Sequence, residues 1–166
     1  MTTRREIIAF IGALPILSLA GCGQGDTAAN CQPIVLGDAR ACALCGMTIN
    51  NFPGPKGQAC LGGVETLGFC STNDLFSWAW QPDSKPRIEA LYVHDLSRTG
   101  WQEPSDEDWM DAKDALYVTG HDREGAMGRS PAPFSAREDA KAFANNHGGQ
   151  ILTYDDLDWD ALKTPS

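Results

Sequence analysis

Residues 69–78, Phe-Cys-Ser-Thr-Asn-Asp-Leu-Phe-Ser-Trp, carry the signals of a strand that ends and a helix that begins. Ser71 or Thr72 is suited to the helix N-cap, because a side-chain oxygen there accepts a hydrogen bond from a free backbone N–H of the first turn. Pro82 stops the helix, since proline cannot continue the hydrogen-bond ladder. Short runs of apolar and β-branched residues predict strands on both sides, over residues 59–61, 66–70 and 88–96.

The second half of the chain repeats this pattern. The same spacing occurs in both halves: Phe69, Cys70, Asp74 and Trp78 in the first correspond to Phe134, Ser135, Asp139 and Phe143 in the second. Ser135 and Glu138 predict a capping box for a helix that stops at Gly148. Strands are predicted over residues 115–119 and 150–154. We therefore predict an α+β fold of two small homologous ββαβ-like units, packed together because neither is large enough to close a core alone.

The N-terminal segment indicates the compartment. Arg4 and Arg5 precede an apolar stretch, Ile7 to Ala20, which is shorter than the ~20 residues of a membrane span and typical of a signal peptide. The sequence Leu-Ala-Gly-Cys that ends at Cys22 resembles the lipobox of bacterial lipoproteins, whose cysteine is lipidated after cleavage. The alternative is an ordinary signal peptide cut near Ala20. We expect a periplasmic protein that its lipid anchors to the outer membrane. We do not expect the chain to span that membrane.

The sequence divides into five predicted segments. These are a lipoprotein signal peptide (1–21), a lipidated N-terminus with a flexible tether (22–41), the first ββαβ-like unit (42–98), a linker (99–114) and the second unit with an acidic tail (115–166). The 166 residues include 13 Lys+Arg and 22 Asp+Glu, for a net charge of −9. With no basic stripe to contact phosphates, nucleic-acid binding is excluded as a function class.

The chemistry of the chain is concentrated in Cys42-Ala-Leu-Cys45-Gly-Met47, which places three sulfur side chains within six residues. Thiol–disulfide exchange is one use of such a motif, but it usually starts a helix, and here Gly, Asn-Asn and Pro follow too closely. Thiolate and thioether ligands together favour Cu(I), because Met47 is a poor ligand for zinc. The motif therefore indicates a site for a soft monovalent ion.

Two other uses of the cysteines stay open at this point. Cys60 and Cys70 would complete a four-cysteine zinc site, although their wide spacing differs from that of a zinc ribbon. A plain disulfide, Cys42–Cys45 or Cys60–Cys70, needs no metal at all.

Further candidate ligands lie elsewhere in the chain. Met127 stands in a Gly-Ala-Met-Gly loop with no apolar periodicity to bury it, whereas Met110, next to a tryptophan, is interpreted as a core residue. His94 ends a predicted strand and His121 follows another, and an adjacent aspartate is available to orient either ring. Each histidine is also compatible with a purely structural role.

Taken in order, the motifs resemble those of NosL, the accessory lipoprotein family of nitrous oxide reductase, over nearly the whole chain after the signal peptide. They are the lipobox Cys22, Cys42-Ala-Leu-Cys45-Gly-Met47, Phe52-Pro-Gly-Pro-Lys56, Phe69-Cys-Ser-Thr, Tyr92-Val-His94-Asp95, Tyr117-Val118, Gly125-Ala-Met127-Gly128 and His147-Gly-Gly. The resemblance implies a fold of two small α+β units, in agreement with the internal repeat. It also implies a periplasmic Cu(I)-binding protein that delivers copper to the copper centres of nitrous oxide reductase during denitrification.

The resemblance assigns Cys42, Cys45 and Met47 to the motif that carries copper. The expected Cu(I) site consists of Cys45 and Met47, completed by Met127, Cys42 or His94. The expected partners are nitrous oxide reductase, its membrane-bound assembly machinery and the membrane itself, and no enzymatic activity is expected. The extra thiols of Cys31, Cys60 and Cys70 leave room for a disulfide. Alternatives are a periplasmic thiol–disulfide oxidoreductase and a structural lipoprotein whose cysteines are all oxidised.

Overall fold

The computed structural model describes residues 31–62 and 65–163. The predicted signal peptide, the lipobox Cys22 and the first part of the predicted tether lie outside these residues. The described part combines two antiparallel sheets with two helices, as the sequence predicts. None of the helices in the described part is long and apolar enough to cross a membrane.

The first sheet has the strand order β2-β1-β3-β4. Its strands are β1 (Gly57–Leu61), β2 (Glu65–Phe69), β3 (Ile88–His94) and β4 (Trp109–Asp111). Helix α1 (Thr72–Ala79) follows β2 and leads towards β3. The first unit therefore contains the predicted ββαβ order, with β4 added at the outer edge of β3.

The second sheet has the strand order β6-β5-β7. Its elements are β5 (Leu116–Thr119), β6 (Ala132–Phe134), helix α2 (Arg137–His147) and β7 (Gln150–Thr153). In both units the first strand lies in the middle, with the second strand on one side and the strand after the helix on the other. The two halves thus share one topology, which confirms the prediction of two ββαβ-like units.

Two short strands lie where the sequence predicts connections. Strand β4 falls within the predicted linker and pairs Met110 with Val93 of β3. Strand β6 lies between the predicted strand over residues 115–119 and the predicted helix, where no strand is predicted, and it pairs Pro133 with Tyr117. Both strands have three residues, too few for an alternating pattern, and a proline is tolerated in β6 because this strand is at the edge of its sheet.

The two helices begin differently. Ser71 caps α1 by accepting a hydrogen bond from the backbone N–H of Asp74, 3.0 Å away, as predicted. The predicted capping box of α2 is wrong: the helix begins at Arg137, and Ala136 stands at its N-cap without a side-chain hydrogen bond. The backbone N–H of Ser135 instead donates to a carboxylate oxygen of Asp95 over 2.9 Å, so the first unit holds this turn.

One hydrophobic core joins the two units. The ring of Phe76 on α1 lies 5.5 Å from that of Tyr117 on β5 and 6.0 Å from that of Tyr154 beyond β7. Leu157, within the predicted acidic tail, is buried in the same core, whereas the aspartates around it are exposed. A second, smaller cluster under α2 contains Phe134 and Ala140. Burial of apolar surface between the units is what holds them together.

Candidate metal centre

The Cys-x-x-Cys motif forms a closed turn rather than the start of a helix. The N–H of Cys42 donates to the carbonyl oxygen of Met47 over 2.8 Å, and the N–H of Gly46 donates back to the carbonyl of Cys42 over 2.9 Å. Gly46 has φ +78°, a backbone conformation that glycine adopts without strain. Cys42 therefore does not stand at the start of a helix, unlike the first cysteine of the usual thiol–disulfide exchange motif.

The junction of β2 and α1 supplies two further groups to this turn. Cys70 follows the last residue of β2, and Asp74 is the third residue of α1. The N–H of Ala43 donates to the carbonyl oxygen of Gly68 over 2.9 Å, and this bond fastens the turn to the end of β2. A tertiary contact, not sequence adjacency, therefore brings the two segments together.

Three thiols and one carboxylate converge here. The sulfur atoms of Cys42, Cys45 and Cys70 and a carboxylate oxygen of Asp74 all lie within 4.8 Å of one another. Asp74 Oδ2 lies 3.3 Å from Cys42 Sγ and 3.4 Å from Cys70 Sγ. Cys45 Sγ lies 3.5 Å from Cys70 Sγ. We name these four residues the thiol cluster. Its sulfur donors are of the kind that Cu(I) and zinc prefer.

The thiol cluster is open on one side only. Cys42 and Cys70 are buried, with 4% and 0% of their surfaces exposed, whereas Cys45 is exposed. None of the three takes part in a disulfide. An ion can therefore enter or leave past Cys45, while the other two sulfurs stay shielded from solvent.

The pKa of each member of the cluster depends on its neighbours and on its burial. Hydrogen bonding with Cys70 lowers the pKa of Cys42 to about 4 and raises the pKa of Cys70. Partial desolvation beside the other thiols raises the pKa of Cys45 to about 11, and burial raises the pKa of Asp74. At neutral pH the cluster thus has one sulfur disposed to be a thiolate. A metal must displace protons to bind the others, as is usual for thiolate ligands.

The two candidate methionines lie on different segments. Met47 closes the turn and packs, partly buried, against the core cluster that contains Cys42 and Cys70. Met127 is 38% exposed, at the tip of a turn closed by a hydrogen bond from the N–H of Gly125 to the carbonyl of Gly128. Ala126, beside Met127, packs against the same core cluster as Met47.

Comparison with known proteins places the chain in a family. A family model described as NosL matches residues 33–162. The chain belongs to the NosL family. Two relatives carry the name copper-binding lipoprotein NosL. The one from Stutzerimonas stutzeri is 41% identical over 157 residues, which cover 92% of this chain and 80% of the relative. The one from Achromobacter cycloclastes is 34% identical over 169 residues, which cover 99% and 86%.

Solved structures of NosL agree. The crystal structure of the copper chaperone NosL from Shewanella denitrificans matches with a TM-score of 0.75 at 36% identity, over 78% of this chain and 97% of that one. The solution NMR structure of apo-NosL from Achromobacter cycloclastes matches with a TM-score of 0.51 at 34% identity, over 66% and 90%. The family and the fold predicted from the sequence motifs are therefore confirmed.

In this member of the NosL family, His94 has partners other than the thiols. Its Nδ1 accepts a hydrogen bond from the backbone N–H of Lys56 over 3.3 Å, and its Nε2 lies 3.9 Å from Asp106 Oδ1. The ring packs 3.9 Å from that of Trp109. His94 is not among the groups that converge in the thiol cluster. Since Nδ1 is occupied, the neutral ring carries its proton on Nε2, an arrangement that does not favour metal binding.

His121, the other histidine considered, is also engaged elsewhere. Its Nε2 lies 2.9 Å from the carbonyl oxygen of Ser130, and its Nδ1 accepts a hydrogen bond from the N–H of Arg123. It too lies outside the thiol cluster.

The disulfide joins Cys31 to Cys60, a pair that the sequence analysis did not single out. Neither Cys42–Cys45 nor Cys60–Cys70 is bonded, and the four-cysteine zinc set is excluded because Cys60 is oxidised. The bond holds the segment that precedes the Cys-x-x-Cys turn against β1. The described end of the predicted tether therefore contacts the first sheet.

Sequence reasoning joined Cys70 to Cys42 and Cys45 only in the alternative zinc site, and it assigned Asp74 to no site. A usable signal was nevertheless present. Cys70 directly precedes the predicted cap Ser71, and Asp74 stands three residues after that cap. The first turn of a helix gathers such side chains around its free N–H groups. The sequence did not show that the Cys-x-x-Cys turn packs against the start of this helix.

Proposed function

We propose that the chain is a membrane-anchored Cu(I) carrier of the periplasm, which delivers copper for assembly of the copper centres of nitrous oxide reductase and is not an enzyme. The observation that supports this function best is the meeting of three thiols at a site with a single exposed member, Cys45. Soft sulfur ligands suit Cu(I), and one open side suits a site that must release its ion.

The proposed ligands are sulfur atoms. Cys42, Cys45 and Cys70 supply thiolates, and Met47 and Met127 supply thioethers, which carry no proton and form no disulfide. Cu(I) needs few ligands, so these five donors do not all bind it at once. They replace one another as the ion enters and leaves the site. His94 is left out of the set because its ring is held between Lys56 and Asp106.

Delivery proceeds by ligand exchange at the exposed sulfur. A thiol or thioether of the acceptor attacks Cu(I) beside Cys45, and the bonds to the buried Cys42 and Cys70 break as bonds to the acceptor form. The ion keeps its oxidation state and is never free. Cys45 and Cys70 take up protons when they lose copper, whereas Cys42, whose pKa is lowered, returns to its metal-free state as a thiolate.

Anchoring supports this function. A lipid on Cys22 would hold the protein at a membrane surface. Its effective concentration near membrane-bound assembly machinery would then be higher than in solution. The name lipoprotein carried by the relatives supports the anchor, and the words copper-binding and copper chaperone support the cargo. The proposed partners are nitrous oxide reductase, its assembly machinery and the membrane.

A second candidate function, thiol–disulfide exchange, rests on the pKa of Cys42, which is lowered to about 4. The attacking sulfur of such an enzyme must be both a thiolate and accessible. Here the sulfur with the low pKa is buried, and the exposed Cys45 has its pKa raised to about 11. Catalysed reduction of a disulfide substrate, absent in a Cys42→Ser variant, would support this alternative over the carrier.

The carrier function is tested in two steps with the full chain in detergent under anaerobic conditions. First, Cu(I) is titrated in competition with a chromophoric chelator, and native mass spectrometry counts bound ions. Second, the loaded protein is mixed with copper-free nitrous oxide reductase, and the copper transferred is measured. Tight binding of one Cu(I) that passes to the acceptor is expected. Failure of the wild-type chain to retain Cu(I) against the chelator would overturn the proposal.

Methionine variants refine the ligand set. Met47→Leu and Met127→Leu should each lower the average number of sulfur ligands seen by X-ray absorption at the copper edge. Met110→Leu is the matched control, because Met110 packs against the core on β4. An unchanged spectrum in the Met47→Leu variant would remove Met47 from the ligand set.

A further inference from the structure

The loop between β5 and β6 carries Met127 on a tightly closed turn. Gly125 and Gly128 form a β-bridge, so that Ala126 and Met127 occupy the two tip positions. Gly128 has φ +73°, which allows the chain to reverse here. The turn therefore fixes the backbone position of Met127, provided that its base is held in place.

The side chain of His121 holds the two ends of this loop together. At the start of the loop, its Nδ1 accepts a hydrogen bond from the backbone N–H of Arg123 over 3.1 Å. At the end of the loop, its Nε2 lies 2.9 Å from the carbonyl oxygen of Ser130. These partners require a neutral ring with the proton on Nε2. The imidazole is 1% exposed, so water does not compete for either bond.

Trp101 supports the same loop from the side. Its indole N–H donates to the carbonyl oxygen of Glu124 over 3.1 Å, and its ring stands edge-on to that of His121 at 5.4 Å. The carbonyl oxygen of Trp101 accepts the N–H of Gly54 over 2.7 Å. A Cβ on Gly54 would lie 3.1 Å from the Cα of Gly125, so the turn packs closely on the segment that leads into β1.

The loop is also fastened to the helix whose first turn carries Asp74 of the thiol cluster. The hydroxyl of Thr72 donates to the carbonyl oxygen of Pro131 over 2.6 Å in a buried hydrogen bond. Thr72 is the first residue of α1, between Cys70 and Asp74 in the chain. The end of the loop is thus fixed to the junction of β2 and α1, which supplies two members of the cluster.

From these contacts we propose that His121, backed by Trp101, is a positioning residue for copper binding: it holds the loop so that Met127 caps the open side of the thiol cluster. His121 touches no copper and acts only through Met127. This inference rests on the proposed function, in which Met127 is a thioether ligand. It adds that the affinity for Cu(I) depends on a buried imidazole outside the set of ligands.

Variants of His121 test the inference with the full chain in detergent and Cu(I) as the probe. Outer-shell partners of metal ligands typically contribute about 10- to 100-fold to affinity, so His121→Ala should weaken Cu(I) binding by about tenfold. His121→Asn can still accept the Arg123 N–H, and His121→Gln can still donate to the Ser130 carbonyl, so each should restore part of the loss. Circular dichroism checks that each variant folds.

The decisive measurement combines His121→Ala with Met127→Leu. If His121 acts through Met127, the double variant binds Cu(I) as Met127→Leu does, and copper-edge spectra of both single variants lose the same sulfur. Equal losses from His121→Ala with and without Met127 would overturn the inference. His147→Gln is the matched control, since the side chain of His147 contacts only the Asp122 carboxylate, and the bond from the Asp122 N–H to the His147 carbonyl oxygen is made by backbone that the substitution keeps.

The outcomes separate the two proposals. If the wild-type chain fails to retain Cu(I), the proposed function is overturned. If the wild type binds Cu(I) and Met127→Leu weakens binding while His121→Ala does not, only the positioning role is overturned.

Discussion

The sulfur atoms of Cys45 and Cys70 lie 3.5 Å apart, although 25 residues separate them in the chain. Cys70 is completely buried behind the exposed Cys45, so it forms the inner wall of the site. We expect Cys70→Ser to weaken Cu(I) binding by more than about 100-fold, beyond the loss typical of outer-shell positions, because a hydroxyl is a poor ligand for a soft ion. Chelator competition measures this loss.

Ser71→Ala is the control for structural damage at the same place. It removes the side-chain cap of α1 and costs about 1 kcal/mol of stability, but it deletes no sulfur. Its affinity for Cu(I) should stay close to that of the wild type. Wild-type affinity in Cys70→Ser, or an equal loss in Ser71→Ala, would contradict a ligand role for Cys70.

Lowering the pH from about 7 to about 5 should destabilise the protein through its two buried imidazoles. Burial lowers the pKa of His94 and of His121 below 6.5. In this window the unfolded chain therefore binds more protons than the folded chain, and the free energy of unfolding falls as the pH drops through 6.5 towards the folded-state values. Urea unfolding at a series of pH values measures the slope.

The raised pKa of Asp74 changes the free energy of unfolding with pH in the opposite direction, so the contribution of the histidines must be isolated with variants. His94→Gln and His121→Gln should each reduce the slope of stability against pH, because glutamine does not titrate. If both variants keep the wild-type slope, the assignment to the buried histidines is refuted.

The sequence predicts those parts of the fold whose signals are local. The cap at Ser71 and the stop at Gly148 depend on residues within one helical turn, and both are correct. Strand β6 escapes prediction because three residues that include Pro133 resemble a loop until a neighbouring strand is in place. The capping box at Ser135 fails because Asp95, distant in the chain, takes the N–H that the box would have organised.

The same distinction applies to the site. Cys42 and Cys45 are found because they are adjacent in sequence, whereas Cys70 and Asp74 join them only through the docking of one turn on the end of β2. The cysteine pairing is likewise a matter of tertiary structure. Six cysteines allow many pairings, and nothing local distinguishes Cys31–Cys60 from the others.

Reduction of the Cys31–Cys60 bond should cost about 3 to 4 kcal/mol of stability, because the bond closes a loop of about 29 residues in the unfolded chain. Urea unfolding with and without a thiol reductant measures the difference. A Cys31→Ser/Cys60→Ala variant should match the reduced wild type and be insensitive to reductant. Its copper stoichiometry should stay at the wild-type value, since the thiol cluster is intact. A reductant-sensitive variant would reveal a different disulfide.

Gly57 sets the distance between α1 and the first sheet, and with it the position of the thiol cluster. A Cβ at Gly57 would lie 2.8 Å from the Cβ of Leu75 on α1, and the base of a side chain cannot rotate away. We therefore expect Gly57→Ala to destabilise the fold by about 1 to 3 kcal/mol, the usual cost of overpacking a core.

Gly100→Ala is the matched control, because a Cβ there meets nothing within 4 Å. Its free energy of unfolding should remain within about 0.5 kcal/mol of the wild-type value, as for most surface substitutions. Because α1 carries Asp74 and begins two residues after Cys70, Gly57→Ala should also weaken Cu(I) binding in the fraction that stays folded, which chelator competition at low temperature detects. If Gly57→Ala is as stable as Gly100→Ala, the close packing of α1 on β1 is not what positions the cluster.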